Sequence, residues 1–186
     1  RHAPPWGCGR WGSGDPDVGV GQDQVTDRAH EVVVGLDEGA QGSRACPVDL
    51  YDRIPDFRRA YDGFAIATVA AYSEPERARL LADAGIIRNR LKIESAIGNA
   101  RMFLQVAEEF GSFSRYIWNF VDHKPVCNRF RSMKELPPST ALSDRISKDL
   151  KSRGFQFVGS TIVYAHMQAT GMVNDHLVTC FRHTQV

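Results

Sequence analysis

The sequence predicts an all-α fold, and three features of the chain support this prediction. Helix caps recur from about Asp56 onward, apolar residues in the longest segment repeat every three or four positions, and no later stretch resembles a hairpin of strands. Glycine and proline separate these segments. With 186 residues, 42% of them hydrophobic, the chain suits one domain or two small lobes with a core that folds without disulfides.

The first predicted helices are short and have recognisable ends. A helix over 57–64 is expected to stop at Gly63, because glycine tolerates the left-handed conformation at a helix C-terminus. The next helix begins at Ser73, with Glu76 as its capping-box partner, and is expected to end at Gly85. Local capping chemistry therefore predicts two helices in this stretch.

The longest predicted helix spans about 88–110 and ends at Gly111. Its apolar residues follow the spacing of one buried face: Ile93, Ile97, Ala100, Leu104 and Ala107. A short helix rich in aromatic residues follows from Phe113, and prolines then mark an irregular connector. The long helix is therefore the expected centre of the fold.

The last third of the chain predicts two helices joined by a tight turn. A helix with a Ser/Thr cap ends near Arg153, a hairpin covers 153–159, and Ser160 or Thr161 caps a helix that runs to about Gly171. This helix, hairpin and helix arrangement is the most informative local pattern in the sequence.

The first quarter of the chain differs in composition from the rest. Nine of the sixteen glycines lie within residues 1–42, and this stretch reads as loop or as a weakly specified segment. The formal net charge is +1, so any attraction for nucleic acid must be local. No apolar run approaches the roughly 20 residues of a membrane span, and the four cysteines are scattered. We expect a soluble intracellular protein that does not insert into membranes.

The hairpin has the composition of a phosphate-binding turn. Gly154 permits a backbone conformation closed to other residues, and Gly159 is expected to let the second helix begin close against the first. Backbone amides at such a turn can bind a phosphate, and Lys148, Lys151 and Arg153 add local positive charge. An ordinary helical hairpin with a basic surface patch is the alternative from spacing alone.

A second candidate site lies near the C-terminus. His176 and Cys180 are four residues apart, which on a helix places both side chains within reach of one zinc ion. A buried cysteine beside a surface histidine is the alternative. Cys8 is the leading candidate for a third ligand. The fourth stays open among nearby residues, of which glutamine is the poorest ligand: Gln22, Asp23 and His30.

Other catalytic patterns are weak or absent in the sequence. Glu38 follows a short apolar run, and pattern alone gives it no special role. Serine, histidine and aspartate show no spacing that argues for a nucleophilic triad, and there is no Walker-type phosphate loop.

Several long blocks, in order, resemble the bacterial 3-methyladenine DNA glycosylase I family, a branch of the helix-hairpin-helix glycosylases. The resemblance extends from about Phe57 to Arg182. Its most specific blocks are 80–90 with Lys92 and Ile93, 109–113, 116–118, 147–161 and 167–176. Because the blocks are long and in the expected order, the resemblance favours the functional interpretations of the hairpin and of the His/Cys pair.

The resemblance implies a single glycosylase domain over 1–186 with two lobes, one formed by 1–50 and 164–186 and the other by 51–163. It implies that the hairpin 153–159 binds the DNA backbone. It also implies one structural zinc ion that ties the two termini together, with Cys8, His176 and Cys180 at the matching ligand positions. Gln22 stands where the family has a histidine ligand. A monomer in the bacterial cytoplasm is expected.

The implied function is hydrolysis of the N-glycosidic bond of N3-methyladenine in alkylated double-stranded DNA, without a lyase step. Glu38 matches the glutamate that recognises the base and serves as the catalytic residue, and Trp11 matches one wall of the base pocket. Segment 17–56 lacks other aromatic and wedge residues of the family, which either divergence or a shifted reading frame explains. A glycosylase-fold DNA-binding protein with impaired or lost catalysis is therefore the alternative.

Overall fold

A computed structural model describes residues 55–185 of the chain. Residues 55–60 are helical. The elements that follow are α1 (Ile66–Ala70), α2 (Glu74–Ala82), α3 (Arg90–Phe110), α4 (Phe113–Trp118), β1 (Val126–Cys127), α5 (Ala141–Ser152), α6 (Ser160–Ala169) and β2 (Val173–Asn174), with single 3-10 turns at Asp62–Phe64, Asn119–Val121, Met133–Glu135 and Phe181–Thr184. The described residues are mostly helical, as predicted, and no helix among them is long and apolar enough to span a membrane.

The long helix α3 is the centre of the described fold. Asn89 caps its N-terminus by accepting a hydrogen bond from the Lys92 amide at 3.2 Å, and Gly111 ends it in the left-handed conformation at φ 82°. Helices α1, α2 and α4 pack against it. The prediction of its buried face is wrong at Leu104, which is 41% exposed, whereas Phe103 is buried. After residue 100 the buried stripe continues in steps of three, through 103 and 106.

Two hydrophobic clusters of the described residues share α3. The first half of the helix contributes to a cluster with α1, α2 and the segment before them, whose largest fully buried members include Leu80 and Ile97. The second half contributes to a cluster with α4, α5 and α6, which includes Ile146 and Met167. Movement of α5 and α6 relative to α3 would expose apolar surface of the second cluster. The free-energy cost of that exposure opposes the movement.

Some predicted element ends are confirmed and others shift by a few residues. Ser73 and Glu76 form the predicted capping box, but α2 ends at Ala82 rather than at Gly85. Gly63 has the predicted positive φ of 70°, although it lies within a 3-10 turn after the helix at 55–60. Helix α1 was not predicted, and it has only five residues. The two-residue parallel pairing of β1 with β2 was not predicted either.

The hairpin between α5 and α6 has the predicted position, with one difference in its physical basis. Gly154 has φ 99°, as its role in the turn requires. Gly159 precedes α6 as its N-cap, one residue before the predicted cap. A Cβ atom at Gly159 would meet no atom within 4 Å, so the expectation that it permits close helix approach is wrong.

We predict that Gly154→Ala destabilises the protein by about 1–3 kcal/mol, because alanine disfavours a positive φ. Its Cβ would also lie 3.2 Å from Sδ of Met102. Urea unfolding measures the change. Gly98→Ala is the matched control, since it lies inside α3 with no atom within 4 Å of an added Cβ. There helix propensity predicts a gain of about 0.5–1 kcal/mol. Equal effects of the two substitutions would contradict this account.

Candidate nucleic-acid interface

Two buried apolar side chains fix the hairpin against the second hydrophobic cluster. Phe155 and Val158 are buried and belong to that cluster, whereas Gln156 and Phe157 are exposed. Phe157 has φ 57°, a conformation uncommon for a non-glycine residue. The hairpin thus has an inner side, which packs, and an outer side, which faces solvent.

Serine hydroxyls of α5 join the second half of the hairpin to the fold. Ser147 donates to the carbonyl oxygen of Val158 at 2.6 Å, and this hydrogen bond is buried. The hydroxyl oxygens of Ser143 and Ser160 are 2.7 Å apart, which links α5 to the first residue of α6. Because a buried carbonyl without a partner is costly, these contacts determine which way the loop backbone turns.

The N-terminus of α6 presents amide groups without protein acceptors. No side chain caps this helix. Within residues 55–185, the backbone N–H groups of 157–162 have no hydrogen-bond acceptor. Such groups, together with the positive end of the helix dipole, attract an anion, and the open space beside Gly159 leaves room for one. This end of α6 can therefore bind a phosphate through its backbone.

Lys148 and Lys151 lie on α5, where both are exposed. They are three residues apart, so they project from neighbouring positions on the helix. Neither forms an ion pair within the described part of the chain. Their ammonium groups are thus available to an anion near the hairpin, and their role in DNA binding stays a prediction.

Arg153 occupies a different environment from the two lysines. Its guanidinium donates to Glu109 at 2.7 Å and to Asp149 at 2.9 Å. It also lies 5.0 Å from the ring centre of Phe110 and 4.9 Å from that of Tyr116. The side chain is 26% exposed. Arg153 would have to leave two carboxylates and two rings to reach a phosphate, so the geometry favours a role inside the protein.

The environment of Arg153 keeps its guanidinium and the Tyr116 hydroxyl protonated, so that both groups donate hydrogen bonds. The hydrogen bond to Glu109 raises the pKa of the Arg153 guanidinium further above its usual range, and Asp149 acts in the same direction. Burial raises the pKa of the Tyr116 hydroxyl, which donates to Asp149 at 2.6 Å. The network joins the ends of α3 and α5 to α4. Spacing alone did not reveal it, because Glu109 and Arg153 are 44 residues apart.

His176 and Cys180 come together as predicted, but they do so in a turn and not on a helix. Sγ of Cys180 lies 3.7 Å from Nδ1 of His176. Two ligands of one tetrahedral zinc ion, at the usual Zn–S and Zn–N lengths, are about 3.6 Å apart. The pair therefore fits a shared zinc ion. No cluster of three or more potential ligands occurs among residues 55–185, and Cys8 lies outside the described residues, as do Glu38 and Trp11.

Asp175 joins the His176–Cys180 turn to the rest of the fold. Its carboxylate accepts hydrogen bonds from the hydroxyl of Tyr164, from Nε2 of Gln168 at 2.8 Å and from Nδ2 of Asn128 at 2.6 Å. Two of these donors lie on α6. The turn is thus linked by two hydrogen bonds to the same helix that begins at the hairpin.

Comparison with known proteins identifies the family of the chain. The family model for methyladenine glycosylases matches residues 48–183. The DNA-3-methyladenine glycosylase 1 of Escherichia coli (strain K12) is 47% identical over 125 residues, which are 67% of each chain. The DNA-3-methyladenine glycosylase of Haemophilus influenzae is 37% identical over 124 residues, again 67% of each chain.

A solved structure of the same kind has the same fold. The solution structure of a 3-methyladenine DNA glycosylase I superposes with a TM-score of 0.72 at 41% identity, covering 83% of this chain and 81% of the other. The chain belongs to the methyladenine glycosylase family. In this family member the hairpin and the His176–Cys180 turn both lie within the matched residues.

We predict that Arg153→Lys lowers the free energy of unfolding of this family member by about 1–2 kcal/mol, because lysine cannot maintain two carboxylate contacts and two ring contacts together. Urea unfolding provides the measurement. Lys151→Ala is the control, with an expected change within about 0.5 kcal/mol. A stability unchanged by Arg153→Lys, accompanied by weaker DNA binding, would instead make Arg153 a phosphate ligand.

Proposed function

We propose that the protein is a DNA-3-methyladenine glycosylase I, which hydrolyses the N-glycosidic bond of N3-methyladenine in alkylated double-stranded DNA. The observation that carries this proposal is the family match over 48–183, which includes the hairpin. The named function of the E. coli and H. influenzae relatives supports it. We propose further that it acts as a monomer in the bacterial cytoplasm and has no lyase step.

The chemistry of this lesion explains why few catalytic groups are needed. Adenine methylated at N3 carries a positive charge while it is attached to the sugar. When the glycosidic bond breaks, the base leaves as a neutral molecule, so no general acid has to protonate it. The main tasks of the protein are to extrude the nucleotide from the duplex and to recognise a cationic base.

DNA binding in this proposal uses the backbone of the hairpin. The two helices α5 and α6 and their connection form a helix-hairpin-helix unit. The amides at the start of α6 bind a phosphate, with Gly154 shaping the turn and Gly159 leaving the amides accessible. Lys148 and Lys151 add charge contacts that depend on salt concentration. Backbone contacts carry no sequence information, which suits an enzyme whose target is a damaged base in any sequence.

Base recognition is assigned to residues of the first quarter of the chain. Glu38 would accept hydrogen bonds from the exocyclic amine and complement the positive charge of the base. Trp11 would stack on the extruded base, an interaction of about 1–3 kcal/mol. Both assignments come from the resemblance to the family, since these residues lie outside the described residues.

We predict that the purified protein releases free 3-methyladenine from methylated duplex DNA and that Glu38→Gln slows this release about 10- to 100-fold. That range corresponds to the loss of one hydrogen bond to a charged group. Chromatography of the released bases under single-turnover conditions measures the rate. Asp37→Asn is the matched control, because it removes a neighbouring carboxylate, and it should leave the rate within about twofold.

A second candidate function is DNA binding by the glycosylase fold without catalysis. It is favoured by segment 17–56, which lacks aromatic and wedge residues of the family. This alternative predicts salt-dependent binding of duplex DNA with no released base from the unmodified protein. Base release that depends on Glu38 would exclude it, whereas binding without release would replace the first proposal.

We also propose one structural zinc ion with Cys8, His176 and Cys180 as ligands. The support is the distance of 3.7 Å between the sulfur of Cys180 and Nδ1 of His176. The fourth ligand belongs to the first quarter of the chain, where Asp23 and His30 have suitable side chains and Gln22 occupies the position of the family histidine. The ion would crosslink distant parts of the chain and take no part in bond cleavage.

We predict about one zinc ion per chain by elemental analysis, and its loss in Cys180→Ser, because serine is a poor zinc ligand at neutral pH. Cys127→Ser is the matched control and should retain the metal, since Cys127 is exposed on β1. Chelation should lower the midpoint of thermal unfolding of the unmodified protein. Absence of zinc from the unmodified protein, or equal zinc in both variants, would reject the proposed site.

A further inference from the structure

Asn99, in the middle of α3, pairs with the backbone of the hairpin. Its Nδ2 donates to the carbonyl oxygen of Gln156 at 3.0 Å, and its Oδ1 accepts from the amide of Gln156 at 2.8 Å. One side-chain amide thus satisfies both backbone groups of a single residue that lies 57 positions along the chain. Asn99 is 3% exposed, so these hydrogen bonds are shielded from water.

The hairpin lies directly over this part of α3. Three residues after Asn99, Sδ of Met102 would be 3.2 Å from a Cβ atom at Gly154. Asn99 and Met102 are on the same face of the helix, under Gln156 and Gly154 respectively. The first half of the turn therefore rests on α3, where Asn99 forms the hydrogen bonds that fix the direction of its backbone.

The hydrogen bonds of Asn99 determine which polar groups of the hairpin face outward. They direct the carbonyl of Gln156 toward α3, and Ser147 directs the carbonyl of Val158 toward α5. The N–H groups that follow Gln156, at 157–162, have no acceptor within residues 55–185. Peptide planarity couples each carbonyl direction to that of the next N–H group, so an inward carbonyl at 156 sends the N–H of Phe157 outward.

We propose that Asn99 is a positioning residue for DNA binding: its side-chain amide holds the hairpin backbone in the arrangement that presents the amides near the start of α6 to a phosphate. This inference rests on the proposed function of the hairpin. Asn99 itself touches no DNA in this proposal, because it is buried beneath the turn. It acts only through the backbone of Gln156.

The substitution Asn99→Asp tests this role with almost no change of shape. Aspartate still accepts from the amide of Gln156, but its second oxygen faces the carbonyl of Gln156 and repels it. We expect the KM for methylated duplex DNA to rise roughly tenfold, because binding must then also restore the hairpin arrangement that the side chain at position 99 no longer holds. The single-turnover rate at saturating DNA should stay within about twofold, and so should the affinity for free 3-methyladenine, because the base pocket is unchanged.

Two variants on the same helix control for a general loss of stability. Ser95→Ala removes a buried hydroxyl whose bond goes to the Lys92 carbonyl, away from the hairpin. Ile97→Val removes a buried methylene from the hydrophobic cluster that α3 forms with α1 and α2. It lowers stability without changing a contact of the turn. Thermal unfolding of all full-length variants establishes that each is folded at the assay temperature. Both controls should leave the KM for DNA within about twofold.

Direct binding of a fluorescently labelled duplex separates the two proposals. Weaker binding by Asn99→Asp than by either control supports the positioning role, whether or not the protein cleaves the base. Binding equal to that of the unmodified protein overturns the role of Asn99 and leaves the proposed function intact, and so does a fall in the saturated rate with an unchanged KM. If the unmodified protein does not bind DNA, the proposed function fails, and the role of Asn99 in DNA binding fails with it.

Discussion

The hairpin is constrained by the need to pair buried backbone groups in a turn that has no secondary structure of its own. Phe155 and Val158 pack in the second hydrophobic cluster, so part of the turn is buried there. An unpaired carbonyl group in such a place costs free energy. The side chains of Asn99 and Ser147 supply the missing partners from two different helices. The inner side of the turn pairs the carbonyls of Gln156 and Val158 and the N–H of Gln156, whereas the N–H groups of 157–162 have no acceptor within residues 55–185. The capacity to bind an anion thus follows from how the turn is packed.

The distribution of charge around the hairpin is consistent with binding through backbone amides. The chain has a formal net charge of only +1, so it has no strong general attraction for nucleic acid. Arg153 is engaged by Glu109 and Asp149 and stabilises the joint between helices. Lys148 and Lys151 are the cations of the predicted set that face solvent. Fixed amide dipoles need no side-chain ordering to meet a phosphate, whereas lysine contacts lose strength as salt rises.

The sequence predicted features that depend on neighbouring residues and missed features that depend on distant ones. The capping box at Ser73 and the left-handed glycines at 111 and 154 are local, and they are confirmed. The exposed position of Leu104 depends on which helices cover α3, which periodicity does not reveal. The internal role of Arg153 and the pairing of Asn99 depend on contacts across 44 and 57 residues. For His176 and Cys180 their proximity was predicted correctly, while the helical conformation was not.

Helix α6 connects the hairpin to the His176–Cys180 turn. Its N-terminus faces the hairpin, and Tyr164 and Gln168 bind Asp175 beside the His176–Cys180 turn. Ten residues of α-helix are about 15 Å long, and a helix of that length moves as one rigid element. If zinc joins this turn to Cys8, the position of the segment that carries Trp11 and Glu38 would be linked to that of the hairpin through α6. Extrusion of a base requires a fixed distance between the bound phosphate and the acidic side chain that receives the base. A metal at the far end of the hairpin helix would provide that fixed reference without any part in the chemistry, so the proposed zinc ion and the proposed phosphate-binding turn would act together.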